Sequence, residues 1–121
     1  MEYIHLNMTN VPRRLRFPLP VHSLGYIPHS QPQKGRNVYS GKIEFCIRLG
    51  SPGEEFARDI FEGEEFKTPF PHVVVKPPDV EHYYEVKDGR EAFYVTYPES
   101  VIPALQKAGF GLRPFLWEIV V

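Results

Sequence analysis

Thirteen prolines are scattered along this chain of 121 residues, from Pro12 to Pro114, with pairs at Pro18/Pro20, Pro69/Pro71 and Pro77/Pro78. Each proline removes a backbone donor and fixes φ, and inside a helix it costs about 3 kcal/mol. Nine glycines raise the share of chain-breaking residues to about 18%, where about 12% is usual. A helix bundle does not survive that pattern. Frequent turns joining short strands do.

The segments between the prolines are rich in aromatic and β-branched residues. Lys42 to Leu49 alternates strictly: Ile43, Phe45, Ile47 and Leu49 against Glu44, Cys46 and Arg48. This pattern predicts a strand with its apolar set facing the core. Phe56–Phe61 and Glu64–Lys67 flank Glu62-Gly63 and read as a hairpin. Val73–Val75 is a buried strand stopped by Lys76-Pro77-Pro78. His82–Val86 and Ala92–Tyr97 are two further strands around the turn residues Lys87-Asp88-Gly89-Arg90, and Val21–Ile27 is a weaker strand. Glu99–Ala108 is the one helix, with Ser100 as its cap, Pro103 in its first turn and Gly109 past its end. Phe115–Val121 alternates again as a closing strand. Its Trp117 raises the prospect of an exposed apolar face and hence a homodimer. The fold class expected is all-β.

At 14.0 kDa the chain has room for one core. Its net charge of -1 and 42% hydrophobic content exclude a disordered tail or a polycationic nucleic-acid binder. There is no apolar run long enough for a membrane span and no secretory pattern at Met1–Asn10, so a cytoplasmic address without membrane contact is expected. The single cysteine, Cys46, excludes an internal disulfide and any CxxC pair. His5, His22, His29, His72 and His82 form no HxH or HExxH pair, and no phosphate-cradling or GxSxG motif is present. Glu54-Glu55 and Glu64-Glu65 read as solvated carboxylates at hairpin tips, because strand neighbours point to opposite faces. A metal triad of His72, His82 and Glu81, assembled from distant strands, is the enzymatic alternative, of the isomerase or dioxygenase type.

Two strand faces carry the most suggestive chemistry. His82, Tyr84 and Val86 share one, and Ala92, Tyr94 and Thr96 share the other. Turned into a barrel, they make a cavity with aromatic walls, an imidazole and hydroxyls, suited to a small polar ligand such as a sugar. A structural alternative for His82 is an imidazole anchoring the turn near Pro78.

The segment PHVVVKPPDVEHYYEV, Pro71 to Val86, followed by REAFYVTYPES, Arg90 to Ser100, resembles the amino-terminal effector-binding domain of AraC-type transcription regulators. The upstream Gly25-Tyr26, Arg36, and the strand ending at Gly50 are similar in order, and the resemblance spans most of Val21 to Val121. His72 stands where the family often has Asp, Asp79 where it has Gly, and Tyr94 where the arabinose-responsive member has Trp. The resemblance implies a cupin-like double-stranded β-barrel (jelly roll) with one short C-terminal helix, preceded by an arm. The arm spans residues 1–17 and the domain 18–121. It implies a sensor that binds a small effector without catalysis or cofactor, through Arg36, His82, Tyr84, Tyr94 and Thr96. DNA would be contacted only through a helix-turn-helix half not present in this sequence, which Arg13, Arg14 and Arg16 do not replace. The arm, with Arg16 or Phe17, is expected near the barrel mouth.

Overall fold

The computed structural model describes residues 3–9, 20–113 and 115–119. Ten strands form two antiparallel sheets: β1 (Ile4–Asn7), β2 (Ser23–Ile27), β3 (Gln33–Val38), β4 (Lys42–Gly50), β5 (Phe56–Phe61), β6 (Glu64–Pro69), β7 (His72–Lys76), β8 (Glu81–Val86), β9 (Glu91–Pro98) and β10 (Leu116–Glu118). One sheet has six strands in the order β1-β2-β9-β4-β7-β10, the other four in the order β3-β8-β5-β6. This is an all-β jelly roll, as the proline-punctuated sequence leads one to expect. Among the described residues no helix is long and apolar enough to cross a membrane. Arg13, Arg14, Arg16 and Phe17 lie outside the described residues.

The local chemistry explains the turns. Glu62 and Gly63 both have positive φ, 50° and 80°, which is what a two-residue hairpin between β5 and β6 requires. Asp79 has φ of 62°, so an aspartate takes the left-handed position here, with its amide donating to the Tyr39 carbonyl at 2.8 Å. The expected single helix is instead a 3₁₀ turn (Glu99–Val101) running into α1 (Ile102–Lys107). Ser100 caps neither; Pro103 sits in the first turn of α1, where its missing donor is harmless, and Gly109 follows the helix with φ of 97°. The closing strand is shorter than expected, three residues paired to β7.

The larger correction concerns β4. Its period of two is real, but the inward set is Glu44, Cys46 and Arg48, all buried, while Ile47 and Leu49 are exposed at 37% and 44%. Apolar packing is therefore divided. One cluster, including Phe61, Val74 and Phe115, fills one end of the barrel interior. The other, Ile43 and Val75 with Val101 and Leu105, lies on the outer face of the six-stranded sheet beneath α1. The rest of the interior is polar.

Candidate ligand-binding site

A cavity of about 310 Å³ opens between the two sheets. Its wall is built by the inward parity of β4, β8 and β9. Tyr84 and Val86 come from β8; Ala92, Tyr94 and Thr96 from β9; Glu44, Cys46 and Arg48 from β4. Ser23 of β2 and Gln33 and Asn37 of β3 add hydroxyl and amide groups.

Two glycines, Gly25 and Gly35, hold the tyrosines in place. Gly25 is the cross-strand partner of Tyr94, and Gly35 that of Tyr84. A Cβ at Gly25 would lie 2.3 Å from the Tyr94 ring, and one at Gly35 would lie 2.5 Å from the Tyr84 ring. Each ring thus lies across a strand exactly where that strand has no side chain, an arrangement that keeps it along the cavity wall.

At the mouth, the Tyr94 hydroxyl is bonded to the Tyr3 hydroxyl at 2.7 Å and to His5 Nδ1 at 2.5 Å, both from the segment containing β1. Burial, reinforced by the bond to Tyr3, pushes the Tyr94 phenol well above its ordinary range, so it stays protonated. Deeper in, Ser23 and Thr96 share a hydrogen bond.

Below the cavity floor lies a fixed charge network. Arg48 grips Asp59 with both terminal nitrogens, at 2.7 and 2.8 Å. Asp59 also accepts from His82 Nε2 at 2.6 Å. His82 is therefore not a turn anchor near Pro78. Its ring stacks on Phe61 at 4.3 Å between centroids, and its Nδ1 is buried with no hydrogen-bond partner. A carboxylate can only accept, so the proton sits on Nε2 and Nδ1 carries the bare lone pair. His72 donates from Nδ1 to the Pro69 carbonyl at 3.0 Å and offers Nε2 to Arg48 at 3.3 Å. Burial and the neighbouring Arg48 push the His72 pKa down to about 4. Burial alone would raise the Asp59 carboxyl, but its bonds from His82 and Arg48 win and hold it well below the usual range.

Two further pairs neutralise buried charge. Lys76 meets Glu44 at 3.0 Å, with Tyr39 donating to the same carboxylate at 3.2 Å. Burial penalises the Lys76 cation, yet Glu44 carries its pKa above the ordinary lysine value. Arg90 meets Glu54 at 3.1 Å, with side chains only 3% and 5% exposed. Glu54 is thus a buried partner rather than the solvated tip expected of it, whereas Glu64 and Glu65 are exposed. Burial raises the Cys46 thiol, which keeps it protonated and poorly nucleophilic.

The expected site residues therefore separate. Tyr84, Tyr94 and Thr96 line the cavity, and His82 lies beside it, committed to Asp59. Arg36 points outward from β3, opposite Tyr83, with a 66% exposed side chain 4.0 Å from Glu81. Glu81 shares that outer face, so it does not converge with His72 and His82. Among the described residues no three His, Cys, Asp or Glu side chains are grouped to hold a metal ion.

No protein-family model and no curated protein matches the sequence. Among solved structures, the cupin domain of Cnp3 from Schizosaccharomyces pombe superposes with a TM-score of 0.52 at 12% identity, over 90% of this chain and 71% of that one. A predicted oxalate decarboxylase from Thermotoga maritima (TM-score 0.49, 13% identity, 64% and 67% coverage) is also similar. So is a salicylate 1,2-dioxygenase from Pseudoaminobacter salicylatoxidans (TM-score 0.45, 15% identity, 97% and 31% coverage). The likeness to the Cnp3 domain, together with the two antiparallel sheets, shows a cupin-like (jelly-roll) fold.

Proposed function

We propose that the domain holds a small, uncharged, polyhydroxylated metabolite, of which a sugar is the simplest example, in the barrel cavity, and that it performs no chemistry on it. The observation that carries this reading is the pairing of the wall's buried charges. Glu44 is matched by Lys76, Arg48 by Asp59 and Arg90 by Glu54. Except at Lys42, which lines the cavity and lies over the Tyr39 ring at 5.0 Å, a charged ligand would have to break one of these pairs in a low-dielectric site, and breaking such a pair costs several kcal/mol. The uncharged groups of Tyr84, Asn37, Gln33, Ser23 and Thr96 carry no such penalty, and the tyrosine rings suit the CH faces of a sugar. The histidines a cupin enzyme would use for a metal are bound to Asp59, Arg48 and backbone.

With the resemblance of Pro71–Ser100 to AraC-type effector domains, this makes the domain the sensing part of a regulator whose DNA contacts lie elsewhere. Calorimetric titration with neutral monosaccharides and the matching sugar acids tests the reading. At least one neutral sugar binds, Tyr84→Ala weakens it tenfold or more, and the sugar acid binds less well. Binding of sugar acids alone would refute it.

A further inference from the structure

The outer face of the six-stranded sheet carries the apolar pattern that an ordinary sheet would bury. Strand pairing aligns Ile4, Tyr26, Phe93, Ile47, Val73 and Trp117 in one row crossing all six strands. A second row, Leu6, Leu24, Val95, Phe45 and Val75, runs beside it. The α1 helix and its flanking turns cover one end of this face, where Phe45 and Trp117 pack with Phe110. Trp117 therefore belongs to that covered end. The other end is open: Ile4 is 45% exposed, Leu6 49%, Ile47 37%, Leu49 44% and Phe93 46%. Glu91 is the one charged residue among the outward positions of β2, β4 and β9 here, and it accepts a hydrogen bond from Tyr26.

We infer that this open end is a homodimer interface, covered by the same face of a second copy. The five exposed side chains present roughly 450 Å² of apolar surface, the size of the largest patch on a typical monomer, which is often a functional surface. A standard interface buries about 800 Å² per partner, a little over half of it apolar, which comes to about the same area. A face almost without charge has nothing to repel its own copy, so it can be self-complementary about a two-fold axis. Two such sheets stack about 10 Å apart, as in a β-sandwich, with their apolar rows interleaved. The alternation of β4, apolar on the side away from the cavity, then has a burial to account for it.

Sedimentation of the full chain from about 1 to 100 µM tests this. The expected result is a species of twice the 14.0 kDa chain mass at the upper concentrations. Ile47→Lys with Phe93→Lys shifts the equilibrium toward monomer at least a hundredfold. Phe56→Lys, at a 53% exposed position on the other sheet, leaves the dimer intact. Hydroxyl-radical footprinting of the unmodified chain gives a second readout, independent of whether the variant folds: Phe93 and Tyr26 become protected as concentration rises. A wild-type chain monomeric at 100 µM, a dimer that survives the double substitution, or a dimer without protection at Phe93 would each overturn the inference.

Discussion

Replacing Asp59 by Asn isolates the consequence of building a charged network inside a barrel of this size. Asp59 is 0% exposed and accepts three charge-assisted or imidazole bonds, from both Arg48 terminal nitrogens and from His82. The amide keeps the shape but removes the charge, leaving the Arg48 guanidinium, itself only 5% exposed, without a counter-ion. Breaking one partner of such a buried pair costs about 3–5 kcal/mol. Against a total stability of roughly 6–18 kcal/mol for a chain of this length, that is a large fraction. It corresponds to a fall in Tm of about 10–20 °C. Urea denaturation followed by circular dichroism measures it as a lowered midpoint at unchanged slope. A companion variant checks the cause. Arg48→Met with Asp59→Leu removes both charges but strands the His82 donor and the His72 Nε2 acceptor, at about 1–3 kcal/mol each, which the replacement of a buried ion pair by apolar side chains offsets by about 1–4 kcal/mol, so the double variant is more stable than Asp59→Asn. A loss below about 1 kcal/mol for Asp59→Asn, or a double variant worse than the single, would refute the reasoning.

Two other outcomes follow from the same geometry. His72 titrates at about 4 in the folded chain and at 6.5 when unfolded, so its contribution is fully present above pH 6.5 and is lost as pH falls toward 4, amounting to about 3 kcal/mol; His82 is depressed in the same direction, and Asp59 adds its own loss below about pH 4. Urea midpoints that stay flat between pH 7.5 and 4.5 would contradict this. Gly25→Val forces the Tyr94 ring off the wall, since even a Cβ would meet it at 2.3 Å, and it therefore abolishes ligand binding while a far-ultraviolet spectrum of the all-β fold persists; full binding by this variant would show that Tyr94 does not shape the site.

The strand order around Pro77-Pro78 and the Glu62-Gly63 hairpin were legible because turn residues and period-two patterns are local signals. Which face of β4 is inside was not. Periodicity reports that two faces differ, and hydrophobicity assigns the apolar one to the interior; here the interior is a polar cavity, with Glu44 and Arg48 compensated by Lys76 and Asp59 from β7 and β5. Only the complementary charges on separate strands hinted at this, and their pairing depends on topology. β3 escaped notice because QKGRNV has no apolar alternation. Its register then turns Gln33, Gly35 and Asn37 inward and Arg36 outward. Tyr84, Tyr94 and Thr96 were readable as one inward set because β8 and β9 alternate cleanly, whereas Gly35, opposite Tyr84, carries no motif at all, and Gly25, opposite Tyr94, stands out only in the family resemblance.

The central claim is that the polar interior is a binding cavity for an uncharged ligand that leaves unchanged. A ¹⁵N-resolved NMR titration of the intact chain with the tightest-binding neutral sugar tests this most directly, with the sugar's own spectrum recorded in the same tube over a day. The account predicts saturable shifts concentrated at Tyr84, Tyr94 and Thr96 and their strand neighbours, and a sugar spectrum identical at the end. Shifts confined to the outer sheet faces, or conversion of the sugar, would contradict it.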